Sequence, residues 1–547
     1  MARNARSAAS TLLPATNGSS EASDAGNGFL MEQGFTILWS GWQHDMKEGA
    51  GRMRAEYPVA TTSGEPITGL TAHEVIDELG ADRFGTELTY PAASIDGENG
   101  TLTARVRERD ERQRPTGLDW RYVDDRHIEI TRPSDGSLGA GTIFEFVYTA
   151  KDPVVTGLAF ASHRDVASFL RGTEPDGTGR PHPLAEAPPQ HLMLFGLSQS
   201  GRLVRDFLYQ GFNESLDGEQ VFDAAVPVIA GSRKTHMNDA FAQPGRYQRQ
   251  HEDHCFPGDQ FPFAYRELSD PISGKTDSVL ARCDETGTTP KIMHLDTETE
   301  IWSARASLVV TDCEGRDIEQ PENVRVYLAS GVPHGNPTEP NPAPMQMAHN
   351  ELSYGAIIRP LLVALRAWVE DGTPPPASCF PSVAAGTLVQ PEEAGYPKIP
   401  GLTFAALLNG LHLMDHSHVP PREGAAYPVL VSAVDADGNA VAGVRHPVQR
   451  VPRATLLGWN LRAAGYGEGD LYSSIGSRIP FAETRAERMA EGDPRLSIEE
   501  RYASNEDLAA RLRSVCDEMI ATRLLLPEDA ERMLAAVLSG GNVLTAA

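Results

Sequence analysis

Cysteine, positive charge and long apolar runs are all scarce in this sequence. Its 547 residues include five cysteines, none in a C-x-x-C arrangement, so a disulfide framework, a zinc ribbon and a thioredoxin-like motif are not indicated. Lys and Arg number 48 against 75 Asp and Glu, a net charge of -27. A surface this acidic repels phosphate backbones and anionic lipid, so we expect neither nucleic-acid nor membrane-surface partners. No apolar run approaches the roughly 20 residues that span a bilayer.

Motifs that bind common cofactors or metals are also missing. There is no G-x-x-x-x-G-K phosphate loop and no G-x-G-x-x-G after a strand, so nucleotide cofactors are not indicated. Histidines cluster in residues 251–255 and 412–418; the first cluster lacks the H-E-x-x-H spacing of a zinc site, whereas the second comes closer to ligand geometry. We interpret the first cluster as a solvated loop, and in the second His412 and His416 would share one face of a helix. We therefore expect no cofactor and no metal ion.

The most informative segment is residues 191–202, HLMLFGLSQSGR, in which an apolar run meets small residues around Ser198. A nucleophile elbow passes from a strand into a helix through one strained turn, which requires small residues two positions before and after the serine. Gly196 and Ser200 meet that requirement, although the usual G-x-S-x-G has glycine where Ser200 stands, and Gly201 follows it. Apolar residues at helical spacing come after the turn. This context predicts Ser198 as a nucleophile, with Ser200 as the second choice.

A serine hydroxyl needs a base that takes its proton and a carboxylate that orients the base. Two later β-rich runs supply candidates, in the chain order serine, acid, histidine. Residues 291–296 read as a strand and precede Glu298 and Glu300. Residues 324–329 read as a second strand and open into a loop that carries His334. From the residues alone, either glutamate could be the acid.

These residues resemble a family, the bacterial α/β-hydrolase domain proteins, which are esterase-like and whose elbow reads G-x-S-Q-S-G-R. The resemblance runs from about residue 24 to the C-terminus, and it is carried by these further segments: 24–30 (DAGNGFL), 35–43 (FTILWSGWQ), 147–153 (VYTAKDP), 164–165 (RD), 300–302 (EIW, where the family has tyrosine in place of Ile301), 331–334 (GVPH), 458–462 (GWNLR) and 499–502 (EERY). It implies the α/β-hydrolase fold and a catalytic triad of Ser198, Glu300 and His334. It also favours Glu300 over Glu298 as the acid.

One difference from the family lies at the N-terminus. Relatives normally carry a strand-rich leader before the segment at residue 24, whereas this chain has a short Ala/Ser-rich stretch there. The tetrahedral intermediate of acyl transfer needs two backbone donors, one from the residue after the nucleophile, here Gln199, and one from a loop after an earlier strand. The second donor would come from residues 3–6 or from near Trp42 and Gln43, or be missing. We expect an incorrectly assigned start codon, which N-terminal sequencing of the native protein tests.

The pattern along the chain predicts three regions. Residues 1–30 are rich in Ala, Ser, Gly and Asn and are expected to be poorly ordered, and because they lack the apolar core of a secretory signal we expect a cytoplasmic protein. Residues 31–372 are expected to form the catalytic domain, with a mainly parallel central sheet, a β-rich insertion at about 46–140 and a cap at about 232–289. Residues 373–547 are expected to form a C-terminal α+β region packed on that domain.

Two strands and three aromatic residues carry further expectations within the catalytic domain. We expect the first strand to include Trp39 and Trp42, and the strand at residues 144–148 to return the chain to the central sheet. Trp42, together with Phe261 and Phe263 of the cap, is a candidate for the substrate pocket. The competing interpretation of the cap aromatics is that they form the core of the insertion.

The sequence thus predicts a serine hydrolase that cleaves a carboxylic ester through an acyl-enzyme. Its partner would be a small-molecule ester, and no feature indicates an oligomeric state. An amidase or peptidase would use the same triad, and ester and amide substrates that share one acyl group separate the two activities. A third interpretation is a non-catalytic binding protein with a hydrolase fold, which a fluorophosphonate would not label at Ser198.

Overall fold

The computed structural model describes residues 28–46, 53–245, 251, 256–335, 344–404, 406, 409–472 and 474–544. Of the segment 1–30, only residues 28–30 are among them. The strands, numbered along the chain, are β1 Thr61–Thr62, β2 Glu65–Pro66, β3 Thr68–Asp77, β4 Arg83–Glu87, β5 Thr101–Arg105, β6 Asp119–Tyr122, β7 His127–Thr131, β8 Thr142–Lys151, β9 Met193–Leu197, β10 Ala224–Val228, β11 Leu268–Ser269, β12 Thr276–Asp277, β13 Lys291–Thr297, β14 Val324–Ser330, β15 Leu388–Val389, β16 His412–Asp415, β17 Arg422–Ala426, β18 Val431–Ser432, β19 Val444–Arg445, β20 Ala454–Leu457 and β21 Ser477–Pro480. The α-helices are α1 Phe29–Glu32, α2 Leu158–Arg171, α3 Gln199–Tyr209, α4 Ala281–Thr286, α5 Glu298–Ser303, α6 Gly355–Asp371, α7 Pro447–Arg450, α8 Arg485–Glu491, α9 Ile498–Arg501, α10 Asn505–Ala521 and α11 Pro527–Leu538.

A parallel sheet of five strands forms the centre of the fold. Its order is β19-β14-β13-β10-β9, and every neighbouring pair is parallel. Strands β10, β13 and β14 are buried along almost their whole length, as expected for a parallel sheet covered on both faces. Because the strands run in one direction, their C-terminal ends meet at one edge. That edge receives Ser198 after β9, the helix α5 after β13 and His334 after β14.

Helices cover the two faces of this sheet. On one face, Leu203, Val204 and Phe207 of α3 pack with Ala225 of β10 and Val326 of β14. On the other face, Ile357, Leu361 and Leu365 of α6 pack with alternate residues of β10, β13 and β14. These strand residues are Val226, Val228, Leu295 and Tyr327. The side-chain alternation of each strand therefore divides the core into two layers, with the sheet between them.

The β-rich part of the chain forms two small antiparallel sheets of three strands each. Their orders are β3-β8-β5 and β4-β7-β6, and they share a core that includes Leu102, Ile130, Phe144 and Phe146. The expectation that residues 144–148 return the chain to the central sheet is wrong, because β8 pairs with β3 over ten residues and with β5 over five. An apolar strand that is buried on both faces looks the same in sequence whichever sheet buries it.

Residues 35–43, expected to hold the first strand, carry no strand in the structure. Trp42 is buried and Trp39 half-buried, but a groove lies between this segment and β9 and is lined by both. The two backbones therefore do not form the ladder that strands about 4.8 Å apart would share. Among the described residues, β9 is consequently one of the two edge strands of the central sheet, and β19 is the other.

The C-terminal region is part of the same core and not only packed against it. Strand β19, from residues 373–547, extends the central sheet beside β14, with Ala329 opposite Val444 and Ser330 opposite Arg445. Apolar residues of α10 and α11 join the α6 layer, among them Leu508, Leu512, Met519, Met533 and Leu534. In the part of the chain that the structure describes, no helix is both long enough and apolar enough to cross a bilayer.

A buried ion pair fixes the last helix to α6 and gives a first prediction. Asp529 of α11 accepts from Nε of Arg359 at 3.0 Å and from its Nη2 at 2.5 Å, and it also accepts from Arg532. Both side chains of the Arg359 pair are at least 98% buried, at 2% and 0% exposure. We expect Asp529→Asn to lower the free energy of unfolding by about 3 kcal/mol or more, because it removes the carboxylate that is hydrogen-bonded to a buried guanidinium. Urea denaturation measures this.

The matched control is Glu531→Gln on the same helix. Glu531 pairs with Arg513 at 3.0 Å, but the two side chains are 66% and 50% exposed, so its loss should cost far less than the loss of Asp529. Equal losses for the two variants would contradict the view that α11 belongs to the core.

Candidate active site

Ser198 lies in the single-residue turn between β9 and α3, and its backbone is strained. Its φ of 57° and ψ of -113° are sparsely populated by residues with a side chain. The turn is held from the sheet, because the Ser198 N–H donates to the carbonyl oxygen of Val228 at 2.9 Å. This conformation directs the proposed nucleophile out of the end of the sheet, as an elbow requires.

Two glycines allow the close contact that produces this turn. A Cβ on Gly196 would lie 2.0 Å from the carbonyl oxygen of Ser200, and one on Gly201 would lie 2.6 Å from that of Val228. Neither position has room for a side chain. The tight contact between helix and sheet therefore falls at Gly201, one residue later than in G-x-S-x-G, and this accommodates a side chain at Ser200. The Ser200 hydroxyl accepts a hydrogen bond from the Trp42 indole at 3.0 Å.

The structure brings Ser198, His334 and Glu300 into one chain of hydrogen bonds. Oγ of Ser198 lies 2.9 Å from Nε2 of His334, and Nδ1 of His334 lies 2.6 Å from Oε1 of Glu300. The His334 side chain is 19% exposed, whereas that of Glu300 is fully buried. With a proton on Nδ1 donated to the carboxylate, the lone pair of Nε2 faces the serine hydroxyl. The arrangement can move a proton from the hydroxyl to the imidazole.

Glu300 is held in place by a capping box at the start of α5. Its Oε2 accepts from the Thr297 N–H at 3.0 Å and from the Thr297 hydroxyl at 2.5 Å. One carboxylate oxygen is therefore committed to the helix terminus, and the other is left for the imidazole. The capping box is visible in the sequence as T-x-x-E, and this pattern distinguishes Glu300 from Glu298 without comparison with a related protein. The acid chemistry of the two glutamates alone does not reveal it.

Glu298 is turned away from the imidazole and lies behind the loop that carries His334. Its Oε2 accepts from the Gly331 N–H at 3.4 Å, and its own N–H donates to the Val332 carbonyl oxygen at 3.1 Å. Burial raises the pKa of Glu298 from its ordinary 4.5 to about 7, since a charged carboxylate is poorly solvated there. Of the two glutamates, the structure brings only Glu300 to His334.

The His334 loop is positioned by residues that sequence analysis did not single out. The His334 N–H donates to the Thr299 hydroxyl at 2.9 Å, and that hydroxyl donates to the Gly458 carbonyl at 2.5 Å. The buried amide of Asn350 donates to the Gly331 carbonyl at 2.7 Å. Gly458 belongs to a segment that carries the family resemblance, but nothing in the local sequence around Asn350 indicates this contact. These bonds fix the loop from two distant parts of the chain.

A groove of about 1950 Å³ opens at Ser198. It runs along the edge strand β9 and is lined by Ser198, His334, Trp42, Gln43, Tyr354 and Phe195, among others. Gln199 also lines it and is the first residue of α3, where backbone N–H groups have no partner within the helix. The volume exceeds the roughly 300–1,000 Å³ of ordinary ligand pockets because the groove extends well beyond Ser198, as far as Arg366 and Glu370 of α6.

The predicted pocket contacts at Phe261 and Phe263 are corrected by the structure. Both rings are buried in a separate cluster with Leu308, Leu411, Tyr427 and Val429, and neither lines the groove at Ser198. They are core residues, but their core is shared with the C-terminal region and is not that of the insertion alone, as the competing interpretation had it. Trp42, in contrast, lines the groove.

The two histidine clusters, at residues 251–255 and 412–418, differ in structure from the solvated loop and the helix that the sequence predicted. His412 lies in strand β16 and not in a helix. His251 is buried, with its ring nitrogens 2.6 Å from Asp470 Oδ2 and 2.6 Å from the Gly141 carbonyl oxygen; residues 252–255 are outside the described part of the chain. Across the described residues, no three His, Cys, Asp or Glu side chains are grouped to hold a metal ion.

Comparison with protein families agrees with this architecture. A model of the family described as alpha/beta hydrolase domain matches residues 96–535, most of the chain, and the protein belongs to that family. The parallel sheet with its elbow after β9 fits this membership, which indicates a hydrolase. The match begins after the segment with Trp42. Searches among curated proteins and among solved structures found no match.

The buried Glu298 gives a second prediction, on stability against pH. Because its pKa is raised from 4.5 to about 7, the folded state binds a proton more tightly than the unfolded state between these values. Stability from this group is therefore complete below pH 4.5 and is lost as the pH rises towards 7, by up to about 1.4 kcal/mol per pH unit. As the pH rises from 4.5 to 7, the urea midpoint of the wild type should fall relative to that of Glu298→Gln. Parallel curves would contradict it.

Proposed function

We propose that this protein is a serine hydrolase that cleaves carboxylic esters through an acyl-enzyme intermediate. The observation that carries the proposal is the 2.9 Å contact of the Ser198 hydroxyl with an imidazole whose other nitrogen lies 2.6 Å from the buried Glu300. A nucleophile, a base and a group that orients the base are the three parts of this chemistry. Membership of a hydrolase family supports it.

In the first half of the reaction, Ser198 Oγ attacks the ester carbonyl carbon while its proton passes to Nε2 of His334. The negative charge that develops on the carbonyl oxygen is stabilised by the Gln199 N–H at the start of α3. When the tetrahedral intermediate collapses, the C–O bond to the leaving group breaks and His334 returns the proton to the departing alcohol. Glu300 accepts the Nδ1–H throughout and stabilises the imidazolium.

In the second half, water takes the place of the alcohol. His334 accepts a proton from the water as its oxygen attacks the acyl carbon, and collapse releases the carboxylic acid and restores Ser198. We assign the second oxyanion donor to the backbone of residues 41–43, which line the same groove and contact the elbow through Trp42. An ester is the proposed substrate because the family resembled by the sequence is esterase-like, and because an alkoxide leaves more readily than an amine.

Labelling by a fluorophosphonate tests the nucleophile directly. We expect the reagent to modify Ser198, as located by peptide mapping, and Ser198→Ala to abolish labelling. For ester hydrolysis we expect Ser198→Ala to lower kcat by about 10⁴-fold or more, and Glu300→Gln by about 10⁴-fold, because the imidazole is then held in the wrong tautomer. Glu298→Gln is the matched control, since it changes a neighbouring buried glutamate that does not contact the imidazole.

Three outcomes would contradict this proposal. Wild type that is folded but unlabelled would favour a binding protein with a hydrolase fold. Equal losses in Glu298→Gln and Glu300→Gln would show that the acid is misassigned. A pair of substrates with one acyl group, a p-nitrophenyl ester and the corresponding p-nitroanilide, tests the bond type, and a preference for the anilide would favour an amidase.

A further inference from the structure

The elbow is tied to the groove-lining segment 42–45 by hydrogen bonds on two sides. On one side, the Trp42 indole N–H donates to Ser200 Oγ at 3.0 Å, and the Tyr57 hydroxyl donates to the Trp42 carbonyl oxygen at 2.6 Å. Trp42 is 7% exposed and so has little freedom to leave this position. These contacts join the second residue of α3 to a segment that precedes it by 158 positions.

On the other side, the tie passes through Gly245. The Gln199 side-chain amide donates to the Gly245 carbonyl oxygen at 3.2 Å, and the Gly245 N–H donates to Asp45 Oδ2 at 2.7 Å. Asp45 Oδ1 accepts from the Gln43 amide at 2.8 Å. A Cβ on Gly245 would lie 2.5 Å from the Gln43 amide nitrogen, so the side chains of segment 42–45 lie directly against Gly245. The two residues that follow Ser198 are thus both connected to segment 42–45.

Ser200 occupies the position at which an elbow usually has glycine. A glycine there has no side-chain acceptor for an indole N–H. The Ser200 hydroxyl is also poorly placed to act as a second nucleophile, because it accepts the bond from Trp42 while His334 Nε2 contacts Ser198. The residue that differs from the usual motif, Ser200, is therefore the one whose side chain is described as hydrogen-bonded to Trp42.

We propose that Ser200 is a positioning residue that, by holding the Trp42 indole, fixes segment 42–45 against the elbow so that the backbone of Trp42 and Gln43 faces the developing oxyanion. This inference rests on the proposed function. Donors to an oxyanion act only if they are oriented before the charge develops, and small displacements of a catalytic group are costly. Loss of the bond should consequently affect the transition state and leave substrate binding nearly unchanged.

The test is a double-mutant cycle with Ser200→Ala, Trp42→Phe and the double variant. Each single variant should lower kcat for a p-nitrophenyl ester, and the rate of phosphonylation, by about tenfold. In Ser200→Ala, KM should stay within about twofold of wild type, whereas Trp42→Phe also changes the lining of the groove and its KM does not bear on the inference. The double variant should lose no more than the larger single loss, because both changes remove one interaction. Should Trp42→Phe not fold, Ser200→Ala alone still decides through its kcat and phosphonylation rate.

Tyr396→Phe provides the matched control. The Trp459 indole donates to the Tyr396 hydroxyl at the same 3.0 Å, so this variant also deprives a buried indole of its acceptor, but away from the groove at Ser198. Its melting temperature should fall about as much as that of Ser200→Ala, while its kcat stays at the wild-type value. Equal kcat losses in the two variants would reduce the role of Ser200 to stability and overturn the inference.

The two proposals fail in different ways. If Ser198-dependent labelling occurs and Ser200→Ala keeps wild-type kcat, or its loss appears only in KM, or the single losses multiply in the double variant, the positioning role is wrong and the hydrolase stands. If wild type is not labelled, or labelling persists in Ser198→Ala, the proposed function is wrong and the positioning role falls with it.

Discussion

The close contact of α3 with β9 and β10 is the constraint on which the rest of the site depends. At Gly196 and Gly201 the helix and sheet approach so closely that a Cβ would lie within 2.6 Å of a carbonyl oxygen. The chain must therefore reverse within one residue, and Ser198 takes the strain with a φ of 57°. Such strain costs on the order of 1–3 kcal/mol and persists only where the surroundings enforce it. Here the buried side of α3, with Leu203, Val204 and Phe207, enforces it.

The parallel direction of the strands brings the other two groups to the same edge, but a second constraint sets their orientation. Glu300 serves at once as the third residue of a capping box and as the partner of His334. Because Thr297 occupies one carboxylate oxygen, the other can point in only one direction, towards the loop after β14. Local helix capping thus fixes the geometry of a contact between residues 34 positions apart. A carboxylate without such a partner would have several rotamers available.

The three residues of the candidate site could be picked out in the sequence because their signals are local. The small residues around Ser198 and the strands before Glu300 and His334 each lie within a dozen residues, and family resemblance supported the same three positions. The sheet assignment at residues 144–148 failed because an apolar strand does not reveal which partner buries it, whereas residues 35–43 have a strand-like pattern but form no strand. Strand β19 has only two residues and no pattern to detect. The burial of Phe261 depends on the C-terminal residues Tyr427 and Val429, far away in sequence.

The C-terminal region completes the site as well as the sheet. Gly458 approaches α5 so closely that a Cβ would lie 2.7 Å from the Thr299 nitrogen, and its carbonyl oxygen accepts from the hydroxyl that in turn holds the His334 backbone. The backbone of His334 is therefore positioned in part by the segment at Gly458. The elbow and the acid can form from nearby sequence, whereas the base needs contacts across more than a hundred residues. In this chain the proposed activity therefore depends on the whole fold, including the C-terminal region at residues 373–547.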